Sequence, residues 1–309
     1  MPLKTAIIGF SKSAEELHVP ALRSLKDKFV LSAITDPSAE RLDKASKAVK
    51  GVGLYPDENS LFEKESLDLA VITGEAGKNP VLKALNRNLH VLCEGPLLLG
   101  LSELDELLDK SRQRGKLIYF FDWWKRHPQV KAMQDAIAQD IIGKPDFFQW
   151  SAFFPGEAET AGRELWTAFH ILNLLSGRNP VTACAKFYDG GRSDITINFL
   201  DASAQLHLNG KSRLQKICAL ISGEKGLLQL NDDSLAIERA GLGRKIADFG
   251  KKFAELRDDP ALAAGVYLEL EEALRESSLA EKNMKAASLC LRLISSSVKS
   301  GRSGKPVPV

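Results

Sequence analysis

Cysteine and histidine are scarce in this sequence, and their scatter argues against several kinds of site. The 309 residues include four cysteines and five histidines. No two cysteines form a CxxC pair, and cysteines and histidines do not recur together at the spacing of a zinc site. Isolated cysteines of this kind predict reduced thiols in a cytoplasmic protein, and the pattern predicts no metal centre.

An excess of charge of one sign and long apolar runs are also lacking. The formal net charge is +2, so no basic field favours nucleic acid or an anionic membrane surface. No apolar run is long enough to span a bilayer. A strand is predicted to begin at Lys4, which leaves no room for a signal peptide. We therefore expect a small-molecule substrate, with no nucleic acid and no membrane partner.

The first apolar run of the chain leads into a degraded glycine turn. A buried strand is predicted to end at Gly9, and residues 9–14 read Gly-Phe-Ser-Lys-Ser-Ala. In a G-x-G-x-x-G/A phosphate turn, Gly9 permits the tight bend and Ala14 permits close packing of helix on strand. Ser11 replaces the second glycine, and its hydroxyl can donate to a phosphate. An ordinary strand–turn–helix corner has the same local pattern, so the turn alone leaves both interpretations open.

Asp36 follows the second predicted strand, over residues 29–35, about twenty positions beyond the glycine turn. A carboxylate at this place suits the ribose hydroxyls of a bound dinucleotide. It predicts NAD rather than NADP, because Pro37 and Ser38 follow it and no arginine does so directly. The alternative is that Asp36 opens the Asp-Pro-Ser turn and caps the next helix. The two roles are compatible.

Strands and helices alternate over the first part of the chain. Apolar strands are predicted over residues 5–9, 29–35, 54–55, 67–73, 90–93 and 117–121. Such repeated units predict an α/β domain over residues 1–122, a doubly wound parallel sheet of the Rossmann type. Ligands bind beyond the carboxyl ends of the strands in these sheets. We therefore expect Gly9, Asp36, Thr73 and Gly95 to converge.

The stretch from His90 to Pro96 is predicted to be a short buried strand that stops abruptly at Gly95-Pro96. A helix should follow, with Ser102 as its N-cap and Gly115 just past its end. A strand that stops at such a corner beside a cleft is a natural position for chemistry.

A second domain is predicted over residues 123–309. Helices are expected over 127–138, 164–175, 261–275 and 281–299, and alternating strands over 195–200 and 203–208, which form a hairpin. The alternation predicts an α+β domain with a mostly antiparallel sheet that has one wetter face. The basic run at residues 244, 245, 251 and 252 is interpreted as a solvated surface.

The chain resembles the family of glucose-fructose oxidoreductase, inositol dehydrogenase and rhizopine-catabolism dehydrogenase. The resemblance rests on the glycine turn, on His18-Val19-Pro20-Ala21-Leu22, on residues 90–96, on Ile142-Gly143-Lys144-Pro145, and on the order of the domains. It implies NAD as cofactor, with NADP as an alternative, and a sugar-like or other cyclic hydroxy or carbonyl substrate. The predicted cofactor contacts are Gly9, Phe10, Ser11, Ala14, Asp36, Thr73, Glu94, Gly95 and Pro96.

Two departures from the family pattern concern its catalytic groups. The resemblance places a lysine between Glu94 and Pro96, where this chain has Gly95. It also places an aspartate four residues before a histidine on one helix, where this chain has Trp166 before His170. His170 is therefore the one predicted catalytic residue, although a satisfied core histidine explains it equally well.

Several side chains near the domain boundary also have two interpretations. Lys125 and Arg126 can supply a substitute charge or lie at the surface. Trp123, Trp124 and Trp166 can form an aromatic wall for a ring substrate or pack in the core.

Two functions remain open at this point. The first is an NAD-dependent oxidoreductase with altered acid–base groups. The alternative is a catalytically impaired NAD-binding pseudo-enzyme that serves as a regulator or assembly partner. The resemblance also implies a homodimer or homotetramer formed by pairing of sheet faces, and a cis bond before Pro96.

Overall fold

A computed structural model describes residues 1–74, 77–95, 100–156, 158–257 and 259–309. The chain divides into two compact units. The first contains Met1–Trp123 and Asp258–Ser288, and the second contains Trp124–Arg257 and Leu289–Val309. The first break lies beside residue 122, where the sequence placed the end of the N-terminal domain, and those domain bounds stay a prediction. Residues 258–288, however, were assigned to the second domain from the sequence, and they belong to the first unit.

The first unit is built on a six-stranded sheet whose neighbouring strands are parallel. Its strands are Leu3–Ile8 (β1), Phe29–Thr35 (β2), Gly53–Tyr55 (β3), Leu69–Ile72 (β4), His90–Cys93 (β5) and Ile118–Phe120 (β6). Their spatial order is β3-β2-β1-β4-β5-β6. This is the order of dinucleotide-binding folds, in which the ligand crevice lies where the order reverses, here between β1 and β4. The predicted doubly wound sheet is confirmed.

Short helices connect these strands. They are Val19–Ser24 (α1), Ala39–Ala48 (α2), Glu58–Lys64 (α3), Lys78–Asn86 (α4) and Leu101–Arg114 (α5), with a π-helical turn over Ala14–His18 before α1. The predicted cap of α5 is wrong. Gly100 is the N-cap, and its N–H donates to the Glu103 carboxylate at 2.9 Å. The helix begins before Ser102, so the acidic side chain that accepts the N–H of the N-cap residue is Glu103. Gly115 ends it in a left-handed conformation, as predicted.

The second unit contains a nine-stranded sheet. Its strands are Pro145–Pro155 (β7), Thr182–Tyr188 (β8), Arg192–Asn198 (β9), Ser203–Asn209 (β10), Lys211–Gly223 (β11), Gly226–Asn231 (β12), Ser234–Arg239 (β13), Gly243–Asp248 (β14) and Val307–Pro308 (β15). Their order is β14-β13-β12-β11-β7-β10-β9-β8-β15. The recorded pairs are antiparallel, except that β10 runs parallel to β7. The predicted mostly antiparallel sheet is confirmed, including the β9–β10 hairpin.

The two faces of this sheet differ in exposure. Ile195, Ile197 and Leu206 are buried on one face, while Asp194 and His207 lie on the other and remain partly exposed. The open face is therefore the wetter one that the alternation predicted. The basic run is exposed as expected, but residues 243–248 form an edge strand that the sequence did not indicate.

The helices of the remaining chain are Pro128–Ala138 (α6), Ala158–Ser176 (α7), Phe253–Arg257 (α8), Pro260–Ala273 (α9) and Ser277–Ser303 (α10). Within the described residues, no helix combines the length and the apolar composition that crossing a membrane requires.

Residues 258–288 complete the first unit. α9 packs on α1 and buries Val266, Tyr267 and Leu270. Asn283 of α10 is hydrogen-bonded to the edge strand β6. The Phe120 N–H donates to Asn283 Oδ1 at 2.8 Å, and Asn283 Nδ2 donates to the Phe120 carbonyl at 2.9 Å. One buried amide thus replaces a neighbouring strand along this stretch of the sheet edge.

Candidate functional site

The predicted residues of the first unit meet at the carboxyl edge of its sheet. Gly9 follows β1, Asp36 follows β2, Thr73 follows β4 and Glu94 follows β5. Gly9 has a φ of +87°, and a Cβ there would lie 2.9 Å from the carbonyl oxygen of Thr73. The Thr73 hydroxyl also donates to the Gly9 carbonyl. Only glycine fits this close approach between two strand ends.

Hydroxyl groups line the turn that follows Gly9. Ser11 Oγ lies 2.8 Å from Ser13 Oγ and 3.0 Å from Thr73 Oγ1, and it accepts the Ala14 N–H at 3.2 Å. Ser13 donates to Glu94 Oε2 at 2.8 Å. Ser11 has a single proton, so it donates to one of its two hydroxyl neighbours at a time. Hydroxyls and backbone N–H groups at the start of a helical segment are the donors that a pyrophosphate requires.

The Asp36 carboxylate is already hydrogen-bonded by the protein. It accepts from the Phe10 N–H at 2.7 Å and the Ser38 N–H at 2.8 Å, and Arg41 Nε lies 2.8 Å from both of its oxygens. Asp36 is 2% exposed. It opens the Asp-Pro-Ser turn as proposed, but the cap of α2 is Ser38, which accepts the Arg41 N–H. Ribose hydroxyls at Asp36 would therefore share the carboxylate with three protein donors.

Glu94 is the centre of a second network. Its Oε1 lies 3.0 Å from His18 Nε2, and its Oε2 accepts the Gly74 N–H at 2.9 Å in addition to Ser13. His18 Nδ1 lies 2.7 Å from the Tyr267 hydroxyl. Burial by itself would raise the pKa of Glu94, but the hydrogen bond and charge of His18, with the Gly74 and Ser13 donors, hold that pKa below its usual value. The carboxylate is therefore ionised.

Gly95 is partly buried directly after Glu94. No side chain projects from this position, where the family pattern has its lysine. Pro96, predicted to follow a cis bond and to contact the cofactor, lies outside the described residues.

The predicted catalytic histidine is in the second unit. His170 and Trp166 lie on α7, both are buried, and their ring centroids are 4.8 Å apart. Trp124 is also buried and stacks on Phe253 with a centroid distance of 5.9 Å. This contact supports the packing interpretation for Trp124. A catalytic role for His170 stays a prediction.

A small cavity lies within the second unit. Its lining residues are Trp124, Phe153, Phe154, Glu164, Gln215, Ile217, Phe253 and Ala254. In the part of the chain that is described, no group of three or more His, Cys, Asp or Glu side chains is placed to hold a metal ion.

The networks also contain residues that sequence reasoning missed. They are Ser13, His18, Arg41, Gly74 and Tyr267. Ser13 lies inside the glycine turn and His18 just after it, so local position could have indicated both. Arg41 is one helical turn beyond Ser38, which also places it near Asp36. Nothing local indicates Tyr267, because it joins the site from a distant part of the chain.

The sheet order, the glycine turn and the acidic residue after β2 define a dinucleotide-binding Rossmann protein with a second α+β unit. Residues 3–121 match the family model described as an oxidoreductase family with an NAD-binding Rossmann fold. The match confirms the resemblance drawn from the motifs. The family description also agrees with NAD as the predicted cofactor.

Curated relatives match part of the chain. An inositol 2-dehydrogenase/D-chiro-inositol 3-dehydrogenase of Lacticaseibacillus casei is 25% identical over 169 residues, which are 53% of this chain and 49% of that protein. A trans-1,2-dihydrobenzene-1,2-diol dehydrogenase of Oryctolagus cuniculus is 28% identical over 174 residues, which cover 50% of this chain and 52% of that protein. The chain thus spans about half the length of these relatives.

Solved structures match over the full length. An inositol dehydrogenase homologue from Azotobacter vinelandii, complexed with NADH and myo-inositol, has a TM-score of 0.83 at 15% identity, covering 100% of this chain and 98% of that one. An oxidoreductase from Agrobacterium radiobacter, in complex with NAD+, L-tartaric acid and magnesium, has the same TM-score, identity and coverage. At this identity the likeness establishes the fold of both units and nothing further.

Proposed function

We propose that this chain is an NAD-dependent oxidoreductase that acts on a sugar-like or other cyclic hydroxy or carbonyl compound with altered acid–base groups. The observation that carries the proposal is the meeting of the Gly9 turn, its hydroxyls and Asp36 at the reversal point of the first sheet. These residues suit the pyrophosphate and ribose of a dinucleotide. When bound, NAD supplies hydride transfer.

The relatives support the substrate class. Two relatives are named as inositol dehydrogenases and two as dihydrobenzenediol dehydrogenases, and these names share a cyclic substrate with adjacent hydroxyl groups. The proton of a reacting hydroxyl needs an acceptor, and His170 is the family group that this chain retains.

A catalytically impaired NAD-binding protein is the second candidate. The observation that favours it is the absence of a side chain at Gly95 together with the buried Trp166 at the aspartate position. Proton transfer by a placed side chain contributes about a hundred- to ten-thousand-fold, so loss of two groups slows the reaction severely.

The test separates binding from turnover. Calorimetric titration with NAD+ and NADH should show binding, and a screen of inositols, sugars and cyclic diols for NADH formation should identify substrates. Binding with turnover of one compound supports the oxidoreductase. Binding without turnover of any compound in either direction supports the second candidate, and failure of both cofactors to bind rejects both.

We also propose that the chain forms a homodimer or homotetramer through the open face of the second sheet. The face carries polar side chains such as His207 and Asn198 beside partly buried Phe153. Sedimentation at micromolar concentration should give a dimer or larger species, and a monomer would contradict the proposal. A cytoplasmic location stays a prediction.

A further inference from the structure

Tyr267, His18 and Glu94 form a buried hydrogen-bonded chain. Glu94 is ionised, so its Oε1 can only accept, and His18 Nε2 must carry the proton that lies between them. Burial, together with the charge of Glu94, raises the pKa of the Tyr267 hydroxyl well above its usual value, so Tyr267 keeps its proton. The other ring nitrogen, His18 Nδ1, lies 2.7 Å from the Tyr267 hydroxyl oxygen.

The surroundings stabilise this arrangement. His18 and Tyr267 are both fully buried, and the ring of Phe121 lies 4.5 Å from that of His18. No water is needed to satisfy either imidazole nitrogen, since each has a protein partner within 3.0 Å. Removal of the tyrosine hydroxyl would leave His18 Nδ1 buried without its hydrogen-bond partner, so the ring would be held from the Glu94 side alone.

Glu94 connects His18 to the glycine turn. Its second oxygen accepts from Ser13 in the turn after β1 and from Gly74 in the loop after β4, while the residue itself ends β5. One carboxylate therefore joins the three strand ends that surround the reversal point of the sheet. Its orientation depends on the single N–H that His18 presents.

We propose that Tyr267 is a positioning residue of the cofactor site: it holds the His18 ring in the orientation that bonds Glu94, and His18 in turn fixes the carboxylate that joins the glycine turn to the ends of β4 and β5. The proposal rests on the proposed cofactor-binding function. It assigns the α9 segment, which lies about 250 positions along the chain from His18, a part in cofactor affinity.

Tyr267→Phe tests this in the full-length chain, because it removes one hydroxyl and retains the ring that packs against Phe29. The matched control is Tyr119→Phe, which removes another buried tyrosine hydroxyl from the same unit, one that donates to Glu269 at 2.7 Å. The readouts are the ¹⁵N resonance of His18 Nε2, which reports the hydrogen bond to Glu94, and the Kd for NADH by calorimetry.

The expected result is the same His18 Nε2 signal in the wild type and Tyr119→Phe, and a shifted signal in Tyr267→Phe, where the ring is no longer held at Nδ1. The Kd for NADH should rise roughly tenfold in Tyr267→Phe and stay within about twofold in the control, as for other residues that orient a binding group. Glu94→Gln should raise the Kd for NADH by itself. Adding Tyr267→Phe to it should raise that Kd little further, because both changes act through the His18–Glu94 hydrogen bond.

An unchanged His18 signal in Tyr267→Phe, or equal Kd values for the two tyrosine variants, would overturn the proposal. If Tyr267→Phe does not fold, Glu94→Gln decides alone, since its amide must alter the His18 signal if the link exists. Failure of the wild type to bind either NADH or NAD+ would instead reject the proposed function, and that result is separate from the other two.

Discussion

Arg41 Nε lies 2.8 Å from both carboxylate oxygens of Asp36, and the Arg41 side chain is half exposed. The sequence predicted a bare carboxylate that would repel the 2′-phosphate of NADP. The paired cation reduces that repulsion. We expect the wild type to favour NADH over NADPH only modestly, and Arg41→Ala to widen the preference about tenfold or more, since like charges brought together cost a few kcal/mol.

Calorimetric titration of both cofactors measures this preference. Lys44→Ala is the matched control, because Lys44 is an exposed cation on the same helix that pairs with Glu40. The control should leave the ratio of the two Kd values unchanged. A ratio that Arg41→Ala does not alter would show that the Arg41–Asp36 pair has no role in the choice of cofactor.

The lost catalytic groups lead to a prediction about activity. Wild-type protein should turn over common sugars and cyclitols at well below about 1 per second, a typical enzymatic rate. Gly95→Lys alone should not restore activity, because Trp166 still stands at the aspartate position. Gly95→Lys combined with Trp166→Asp should gain about a hundredfold or more. Steady-state NADH formation is the measurement, with Gly95→Lys/Trp166→Phe as the control for loosened packing.

Wild-type oxidation of a common sugar or inositol at an ordinary enzymatic rate would show that this chain does not need the family's lysine and aspartate. Thermal unfolding of each variant must accompany these assays, since Trp166 is 4% exposed and an aspartate there is costly to bury.

His90, at the start of β5, predicts a pH dependence of stability. Burial, with the nearby charge of Lys116, lowers the pKa of His90 from 6.5 to about 4, and its Nδ1 accepts the Leu117 N–H at 3.0 Å. Above pH 6.5 His90 is neutral in the folded and the unfolded state, so its contribution to the free energy of unfolding is complete. As the pH falls from 6.5 towards 4, the unfolded chain gains a proton that the folded chain does not, so stability declines.

Urea unfolding between pH 6.5 and about 4 measures the slope of the free energy of unfolding against pH. His90→Asn should flatten it, and Lys116→Gln should reduce it by removing part of the cause. Lys110→Gln, a lysine on α5 that is not among the causes, should leave the slope as in the wild type. An equal slope in His90→Asn would assign the pH dependence to other groups.

Asn283 predicts a cost to stability at the sheet edge. Asn283→Ala leaves the N–H and the carbonyl of Phe120 without the amide that pairs them. Because an intramolecular hydrogen bond contributes about 0.5–1.5 kcal/mol, loss of these two should lower the free energy of unfolding by about 1–3 kcal/mol. Asn59→Ala, which removes an exposed amide from α3, should change it by less than about 0.5 kcal/mol. Equal losses in urea unfolding would contradict the role of Asn283.

Much of the fold follows from periodicity. The continuous apolar runs of β1 and β4 indicate strands buried on both faces, and the alternation at Ile195 and Ile197 indicates a sheet with one open face. These patterns are local, so they can be recognised in the sequence. β14 escaped prediction because all six of its residues are exposed and no apolar face marks it. The short helix α3 escaped for lack of a long periodic pattern.

The site was predictable only where its residues are close in sequence to a motif. Gly9, Asp36 and Glu94 follow strands, and the parallel order brings strand ends together whatever the intervening chain. Arg41 escaped prediction because it is on the first turn of α2, beyond the two residues that directly follow Asp36. Tyr267 and Asn283 were assigned to the wrong unit, because helix periodicity does not reveal which core an amphipathic helix packs against.

Residues 258–288 belong to the first unit but are synthesised after residues 124–257 of the second, so the first unit cannot be completed early in translation. A nascent chain that has reached Trp123 carries all six strands of the first sheet, yet Tyr267 and Asn283 have not been made. Translation must continue through residues 124–257 before either arrives, a delay on the order of ten seconds. During that interval β6 is an open strand edge on the ribosome and His18 lacks its tyrosine. Expression of residues 1–123 alone would preserve that incomplete state.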